Sequence, residues 1–505
     1  MATIHASSGQ GALFELVARG VKDNYFVKDT KDSIFPYDAR YESSVHHLAE
    51  RRTMVPLADA VFGNSFEVEI DPYGDVMTEC AIEIDLPSWL PYLPVQPNGQ
   101  PSPPERANGL YSITDLGGRS YGYVNYVGYF LFEKLQFYQD QFLIQEWSGD
   151  SLLAKQMTEG SLNRSFLDQL KGGALETTDS TTGLTTARGL QIRATPGHLR
   201  IILPLPGMQC PGDGGFPLTA VPWQTFRIKG TLRKLEDLVV CSDSTVFKPA
   251  PWNVPSMNYT FTNGSTYTFA PLSILQMAKP RILLSTVQHY VPSKVQEELR
   301  SKPIEIPFRR QFDNYFTFGE LDFIPLDKGG VAAVTRQLDG RHPTERMVWF
   351  FRSQNAIDIN RLDHWYNDFF DSHAPNAAQP YTTPYGEFYY DLKLVIAGKD
   401  REELYTPMVW NQLNSLSKDE KGNVMHIGSM NWSTGEKYGT MYPAPRQPEG
   451  TVNFTTADRP TLYIELANIN TNAILAQRKA EMRLFTEGWN VYTIKEGRGR
   501  LMFAS

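Results

Sequence analysis

The chain has 505 residues, of which 41% are hydrophobic, 12% aromatic and 21% charged, with 48 Lys and Arg against 56 Asp and Glu for a net charge of −8. This mixture excludes disorder, a coiled coil and a collagen-like repeat, and a chain of this length buries large cores without staples. No block of five or six like charges supplies a basic arm or stripe, so direct nucleic-acid binding is not expected.

The opening MATIHASSGQG lacks the basic and apolar regions of a secretory signal, and Leu13, Leu16, Val17 and Val21 predict a short amphipathic helix over 13–21. The period then changes to two. Phe66, Val68 and Ile70 alternate with Glu67 and Glu69, and Cys80, Ile82, Ile84 and Leu86 alternate with Ala81, Glu83 and Asp85. Between them Asp71-Pro72-Tyr73-Gly74 has the residue types of a type I turn, so the two runs read as a hairpin with one wet and one dry face. Leu162, Phe166, Leu167 and Leu170 predict a helix over 162–170. Phe226, Ile228 and Leu232 return to alternation.

Residues 242–280, rich in Ser, Thr, Asn and Pro, read as a connection between two β domains that carries a loop or hairpin of its own. Ser293 with Gln296 three residues on is a capping-box start for a helix over 294–301. Met347 to Phe351 is continuously apolar and is expected to be buried on both faces. A helix over 363–371 follows, then alternating strands over 388–396 and 489–494. Strands with few helices, and no strand–helix alternation, point to sandwiches or barrels. The lengths set two halves, each large enough for one eight-stranded sandwich with long loops.

The sequence is poor in chemistry. It holds no P-loop, no zincin motif and no dinucleotide fingerprint. Cys80, Cys210 and Cys241 are odd in number and widely spaced, which fits a reducing compartment rather than a disulfide framework or structural zinc. His364 and Asp368 would share a helix face that suits a metal, yet Trp365, Phe369 and Phe370 beside them read more simply as a helix packed on a sheet. The adjacent His46 and His47 point apart on any regular element. Glu146 and Asp150 are a candidate carboxylate pair for glycoside hydrolysis, against the plainer reading of two acids near each other by chance. Arg309-Arg310, and Arg498 with Arg500, read as interface or solvent-facing basic spots. Sequons at Asn163, Asn258, Asn263, Asn431 and Asn453 stay unglycosylated in a cytosolic protein. No metal, cofactor or catalytic residue is expected.

Seven stretches, in order, resemble the double jelly-roll major capsid proteins of nucleocytoplasmic large DNA viruses. The opening Leu16-Val17-Ala18-Arg19-Gly20 with Asp23 and Tyr25 is similar to that family's start. Phe62-Gly63-Asn64 with Gly74-Asp75 and Leu86-Pro87 resembles its first hairpin, and Asn125 and Gly128 in Tyr123 to Tyr129 its central strands. Phe216-Pro217-Leu218 resembles the end of the first roll, and His342-Pro343-Thr344-Glu345 a strand of the second. Gln447-Pro448-Glu449-Gly450 with Asn453, and finally Trp489-Asn490-Val491-Tyr492 with Gly497 and Gly499, resemble the closing motifs. Glu449 stands where the family has Ser, and Gln139-Asp140-Gln141 where it has Gly-Gly, the marks of a divergent member.

The resemblance implies an all-β chain of two consecutive eight-stranded antiparallel jelly-roll β-sandwiches with long loops and a few short helices. It implies an N-terminal inner-face segment over 1–27, a first roll over 28–241, a connection over 242–280 and a second roll over 281–505. It further implies a homotrimer acting as a pseudo-hexameric capsomer, in contact with neighbouring capsomers, penton and minor capsid (cement) proteins and, through the N-terminal segment, an internal viral membrane. The expected location is the virion capsid, made and assembled in host cytoplasm. Two rivals stay open on the residues alone: a carbohydrate-active enzyme or lectin on two β-sandwiches, which needs a cleft holding two acids, and a penton or spike, for which two domains are too many.

Overall fold

The computed structural model describes residues 46–91, 111–158, 175–178, 185–191, 198–209, 213–243, 245–261, 266–323, 332–341, 343–363, 365, 388–400, 403–407, 409–410, 426–432, 448, 450–454, 460–466 and 479–503. The helices expected over 13–21 and 162–170, and all but Asp363 and Trp365 of the one over 363–371, lie outside them.

Two four-stranded antiparallel sheets make the first sandwich. Sheet I runs Leu48–Met54, Arg281–Tyr290, Val76–Asp85, His198–Ile202, and sheet II runs Ser65–Ile70, Phe226–Leu232, Phe132–Gln139, Phe142–Trp147. Alternation is the reason these segments fold so. Phe66, Val68 and Ile70 from one sheet and Cys80, Ile82 and Ile84 from the other are buried in one core, while Glu67, Glu69 and Glu83 stay on the outer faces.

The expected hairpin is corrected here. Ser65–Ile70 pairs with Phe226–Leu232, and Val76–Asp85 pairs with Arg281–Tyr290 and His198–Ile202, so the two runs lie in opposite sheets. Residues 71–75 are no type I turn. Tyr73 N–H donates to Asp71 O, Gly74 N–H to the Gln288 side chain and Asp75 N–H to His289 O, which carries the chain across the sandwich. A side chain on Gly74 would meet Gln288 Cβ at 2.7 Å, so the crossing needs glycine.

The second sandwich faces the strands Ile304–Phe318, Ala480–Lys495, Pro343–Ser353 and Gly428–Asn431 of sheet III against Ala332–Gln337, Thr461–Leu466, Tyr389–Ile396 and Lys399–Asp400 of sheet IV. Val452–Asn453 and Arg498–Leu501 extend sheet III at Pro343–Ser353 and Ala480–Lys495. The continuous run Met347 to Phe351 is explained by its place. Met347, Trp349 and Phe351 enter the second core with Met482 and Leu484, whereas Val348, Phe350 and Phe485 join the core of the first sandwich. Sheet III is thus covered on both faces. The alternation read over 489–494 belongs to a longer strand, Ala480–Lys495, buried along nearly all its length.

One further difference has a physical cause. The helix Ser293–Ser301 has Pro292 at its N-cap, and no side chain caps it. Gln296 Nε2 instead donates to the Asp75 carboxylate and to Val291 O, and the bond to the charged acceptor fixes the side chain there. Within 242–280, Met257–Phe261 and Thr266–Phe269 form a hairpin that adds to Tyr111–Asp115.

Candidate functional site: the seam between the two sandwiches

Where the helix Gly149–Thr158 of the first half meets sheet III, the sequence places a set of buried charges. Asp150, fully buried, accepts hydrogen bonds from Arg352 Nη2 at 2.5 Å and Arg233 Nη2 at 2.8 Å. Arg352 also pairs with Glu481 Oε1 at 3.2 Å. Further along the same helix Lys155 Nζ and Arg346 Nε donate to the two oxygens of Glu487 at 2.8 and 2.6 Å, and Arg346 Nη1 reaches Thr158 Oγ1. Asp150 and Thr158 lie eight residues apart, so the helix turns both toward the same strand. A third pair, Arg309 Nε to Glu345 Oε2 at 2.7 Å, lies under the Trp489 ring, 4.5 Å from the guanidinium carbon.

Neutral bonds complete the seam. Gln209 donates to Arg309 O and accepts from Arg309 N–H, and Gln145 also donates to Arg309 O. Gln139 donates to Gly499 O at 2.6 Å and accepts from the Tyr492 hydroxyl at 2.7 Å. Asn360 donates to Glu236 O and Val239 O, and Asn125 to Asp363 Oδ2.

The electrostatics follow from these partners. Burial alone would push the Asp150 carboxyl up, but Arg352 and Arg233 together hold it well below the usual carboxylate range. Glu487 is held down in the same way, against its burial, by Arg346 and Lys155. Both carboxylates are bound by cations and neither is free to take a substrate proton. The seam is built to lock, and its loss of one partner would strand a buried charge.

A group whose folded pKa is depressed contributes stability above its unfolded pKa and loses it as pH falls toward the folded value. The urea midpoint is therefore expected to hold from pH 7 to about pH 5 and to fall below about pH 4, where unfolded carboxyls begin to protonate. Urea titrations across that range check it; a midpoint flat down to pH 2.5 would rule out the seam as the acid-labile element.

The residues singled out from sequence are placed as follows. Glu146 faces Lys134 and Gln136 on the outer face of sheet II, while Asp150 is buried in the seam, so the two form no shared acid pair. Asp75 joins several elements: its carboxylate accepts from Val291 N–H and Gln296, and its carbonyl from Thr219 N–H beside Pro217. Gly63 has φ +79° and bonds Arg233 O. Gly128 lies in the buried turn Val127–Phe130, and Pro343 pairs with Asn453. Asn490, fully buried, ties Val491 N–H and both backbone groups of Phe503. Pro448 is exposed and Gly450 half-buried.

His342, Gln447, Asn163, Asn263, His364 and Asp368 lie outside the described residues, and Trp365 packs on Phe350 with ring centroids 4.8 Å apart. Asn258, Asn431 and Asn453 all sit in strands. Among the described residues no three His, Cys, Asp or Glu side chains gather as a metal site.

No family model and no curated protein matches the sequence. Solved structures do. The VP54 protein of PBCV-1, a crystal structure fitted into a reconstruction of the virophage Sputnik, is similar over 93% of this chain and 100% of its own, with TM-score 0.62 and 16% identity. A chain of the quasi-atomic model of the PBCV-1 virus capsid gives TM-score 0.61 over the same shares, at 16% identity. The Faustovirus major capsid protein gives 0.56 at 11% identity, over 92% of this chain and 93% of its own. The chain has the double jelly-roll fold.

In this double jelly roll Asp150 and Arg309 were singled out from the sequence in other roles, and the remaining seam charges were missed. The signal was present: Glu345, Arg346 and Arg352 flank the apolar run Met347 to Phe351, and Glu481, Arg483 and Glu487 interrupt the last long strand. Charges inside a strand otherwise buried on both faces require buried partners.

Proposed function

We propose that the chain is the structural major capsid protein of a large double-stranded DNA virus, not an enzyme, and that three copies form a pseudo-hexameric capsomer that tiles an icosahedral shell. The observation that carries this reading is the double jelly roll spanning the full length of the VP54 chain. The locked seam supports it, since ion pairs and a shared core hold two sandwiches as one block, as a wall unit requires.

Neighbouring capsomers, penton and minor capsid proteins, and an internal membrane met by residues 1–27 are the partners; nucleic acid is not bound directly. The protein is made and assembled in host cytoplasm and resides in the virion capsid. We place the join between the rolls after Tyr290 rather than at 281, because Arg281–Tyr290 is hydrogen-bonded within sheet I. Gly63, Gly74, Asp75, Asn125, Gly128, Pro217, His342, Pro343, Gln447, Pro448, Gly450, Asn453 and Asn490 serve structure, and the five sequons carry no glycan.

Class averages of the purified protein by electron microscopy test the reading. A three-fold particle with a six-lobed outline is expected; isolated two-lobed particles at high concentration would contradict it.

A further inference from the structure

Arg498 and Arg500, a basic spot in the sequence, lie on the two-stranded ribbon that ends the described chain. Ala480–Lys495 turns through Glu496 and Gly497, at φ +55° and +75°, into Arg498–Leu501. Two left-handed residues make the tight turn of a two-residue hairpin. Lys495 stands directly opposite Arg498, and Thr493 opposite Arg500. Alternation puts Lys495, Arg498 and Arg500 on one face of the ribbon, while Tyr492 and Ile494 turn the other face into the first core. All three cations are exposed, and among the described residues no acid pairs with them. Glu496, in the turn, and Glu305, beyond Thr493 on the next strand, form no ion pair with them either. Like charges directly opposite on a sheet are destabilising, so this rung works against the fold until an anion covers it.

Aromatic side chains flank the ribbon. Trp223 is 82% exposed and lies against the turn, where a Cβ on Gly497 would stand 3.4 Å from Trp223 Cδ1. Beside it, Gln224 accepts from Gly499 N–H, and Thr225 N–H donates to Asp140 in the turn before Phe142, which is 76% exposed. This end of the seam thus carries two bare aromatic rings and three unpaired cations. The backbone beneath them is fixed. Gly499 O accepts from Gln139 and Gly499 N–H donates to Gln224, which closes the free edge of Arg498–Leu501 to an added strand.

We propose that this end of the protein docks on the surface of an anionic lipid membrane through Trp223, Phe142, Lys495, Arg498 and Arg500. Exposed tryptophan beside lysine and arginine suits the bilayer interface, with the ring at headgroup level and the cations on the phosphates. A lipid surface fits better than an acidic peptide, because the ribbon's edge is already bonded and only exposed side chains are left to make the contact. The inference goes beyond the capsid reading, which places a membrane contact only in residues 1–27.

The test is flotation of the purified full-length protein with vesicles of phosphatidylcholine alone or in a two-to-one mixture with phosphatidylserine, at low and high salt. The wild type is expected to bind the mixed vesicles at least about tenfold more tightly and to lose that preference at high salt. The double variant Arg498→Gln/Arg500→Gln is expected to lose most of the preference, about fivefold per cation, with its urea midpoint unchanged or raised because the like-charged rung is relieved. Trp223→Ala is expected to weaken binding severalfold and to remove a blue shift of tryptophan emission that the vesicles induce. Wild-type binding that both variants match, or that is equal for the two vesicle types, overturns the inference. A wild type that ignores the mixed vesicles but binds polyglutamate, with loss in the double variant, also overturns it, the ribbon then being a seat for an acidic protein. Oligomeric state is measured separately without lipid, so each of these results leaves the capsid reading intact, and a monomer that still binds the mixed vesicles through these residues overturns that reading alone.

Discussion

Asp150→Asn is expected to destabilise the protein by about 3–5 kcal/mol, the range for breaking a buried ion pair by removing one partner. The substitution keeps the shape of the side chain and removes the charge that Arg352 and Arg233 share. The buried Arg352 then keeps only Glu481, and the half-buried Arg233 loses the Asp150 carboxylate. Arg352 comes from the second sandwich and Asp150 from the first, so the effect falls on the docking of the two. Adding Arg352→Met to Asp150→Asn is expected to recover a large part of the loss, because it removes one of the stranded charges. Urea denaturation of the single and double variants measures both effects. A single variant within 1 kcal/mol of wild type would show that the seam does not hold the halves together.

Trp349→Ala is expected to cost a similar amount, about 3–5 kcal/mol, by a different route. Trp349 is fully buried in the second core, its ring 5.8 Å from that of Trp410 and nearly edge-on. It lies so close over Gly428 that a Cβ there would come within 2.4 Å of Trp349 Cε2. Truncation leaves a cavity that the flanking strands of sheet III cannot close. The loss should be local, since the opposite face of the same strand, Val348 and Phe350, belongs to the other core. Hydrogen exchange is expected to rise in Thr461–Leu466 and Tyr389–Ile396 and to stay at wild-type levels in Ser65–Ile70 and Phe226–Leu232. Equal acceleration in both sets would mean that the two cores unfold as one.

These two residues mark what the sequence made legible and what it hid. Trp349 sits in a continuous apolar run, and that pattern alone predicts a strand covered on both faces, as found. The alternation of Phe66, Val68 and Ile70 likewise names their dry side correctly. Which strand bonds to which was not legible there, because alternation encodes the buried face and carries nothing about the neighbour at the edge. The hairpin expected at 71–74 failed for that reason: its two runs face each other across a core instead of sharing a sheet.

The helix at Ser293–Ser301 was legible and its cap was not, since Asp75, 221 residues from Gln296, wins the side chain. Asp150 and Arg352 are separated by 202 residues. No local window joins them, and only the three-dimensional meeting of a helix with a distant sheet gives either charge its meaning. The ordered resemblance over the whole chain carried the fold, and the seam had to be seen.

The central claim is that a chain of two locked jelly rolls assembles in threes. Native mass measurement of the purified full-length protein tests it most directly. The account predicts a dominant species of three times the single-chain mass that persists on dilution. A single-chain species at every concentration, with the fold intact by circular dichroism, would contradict it.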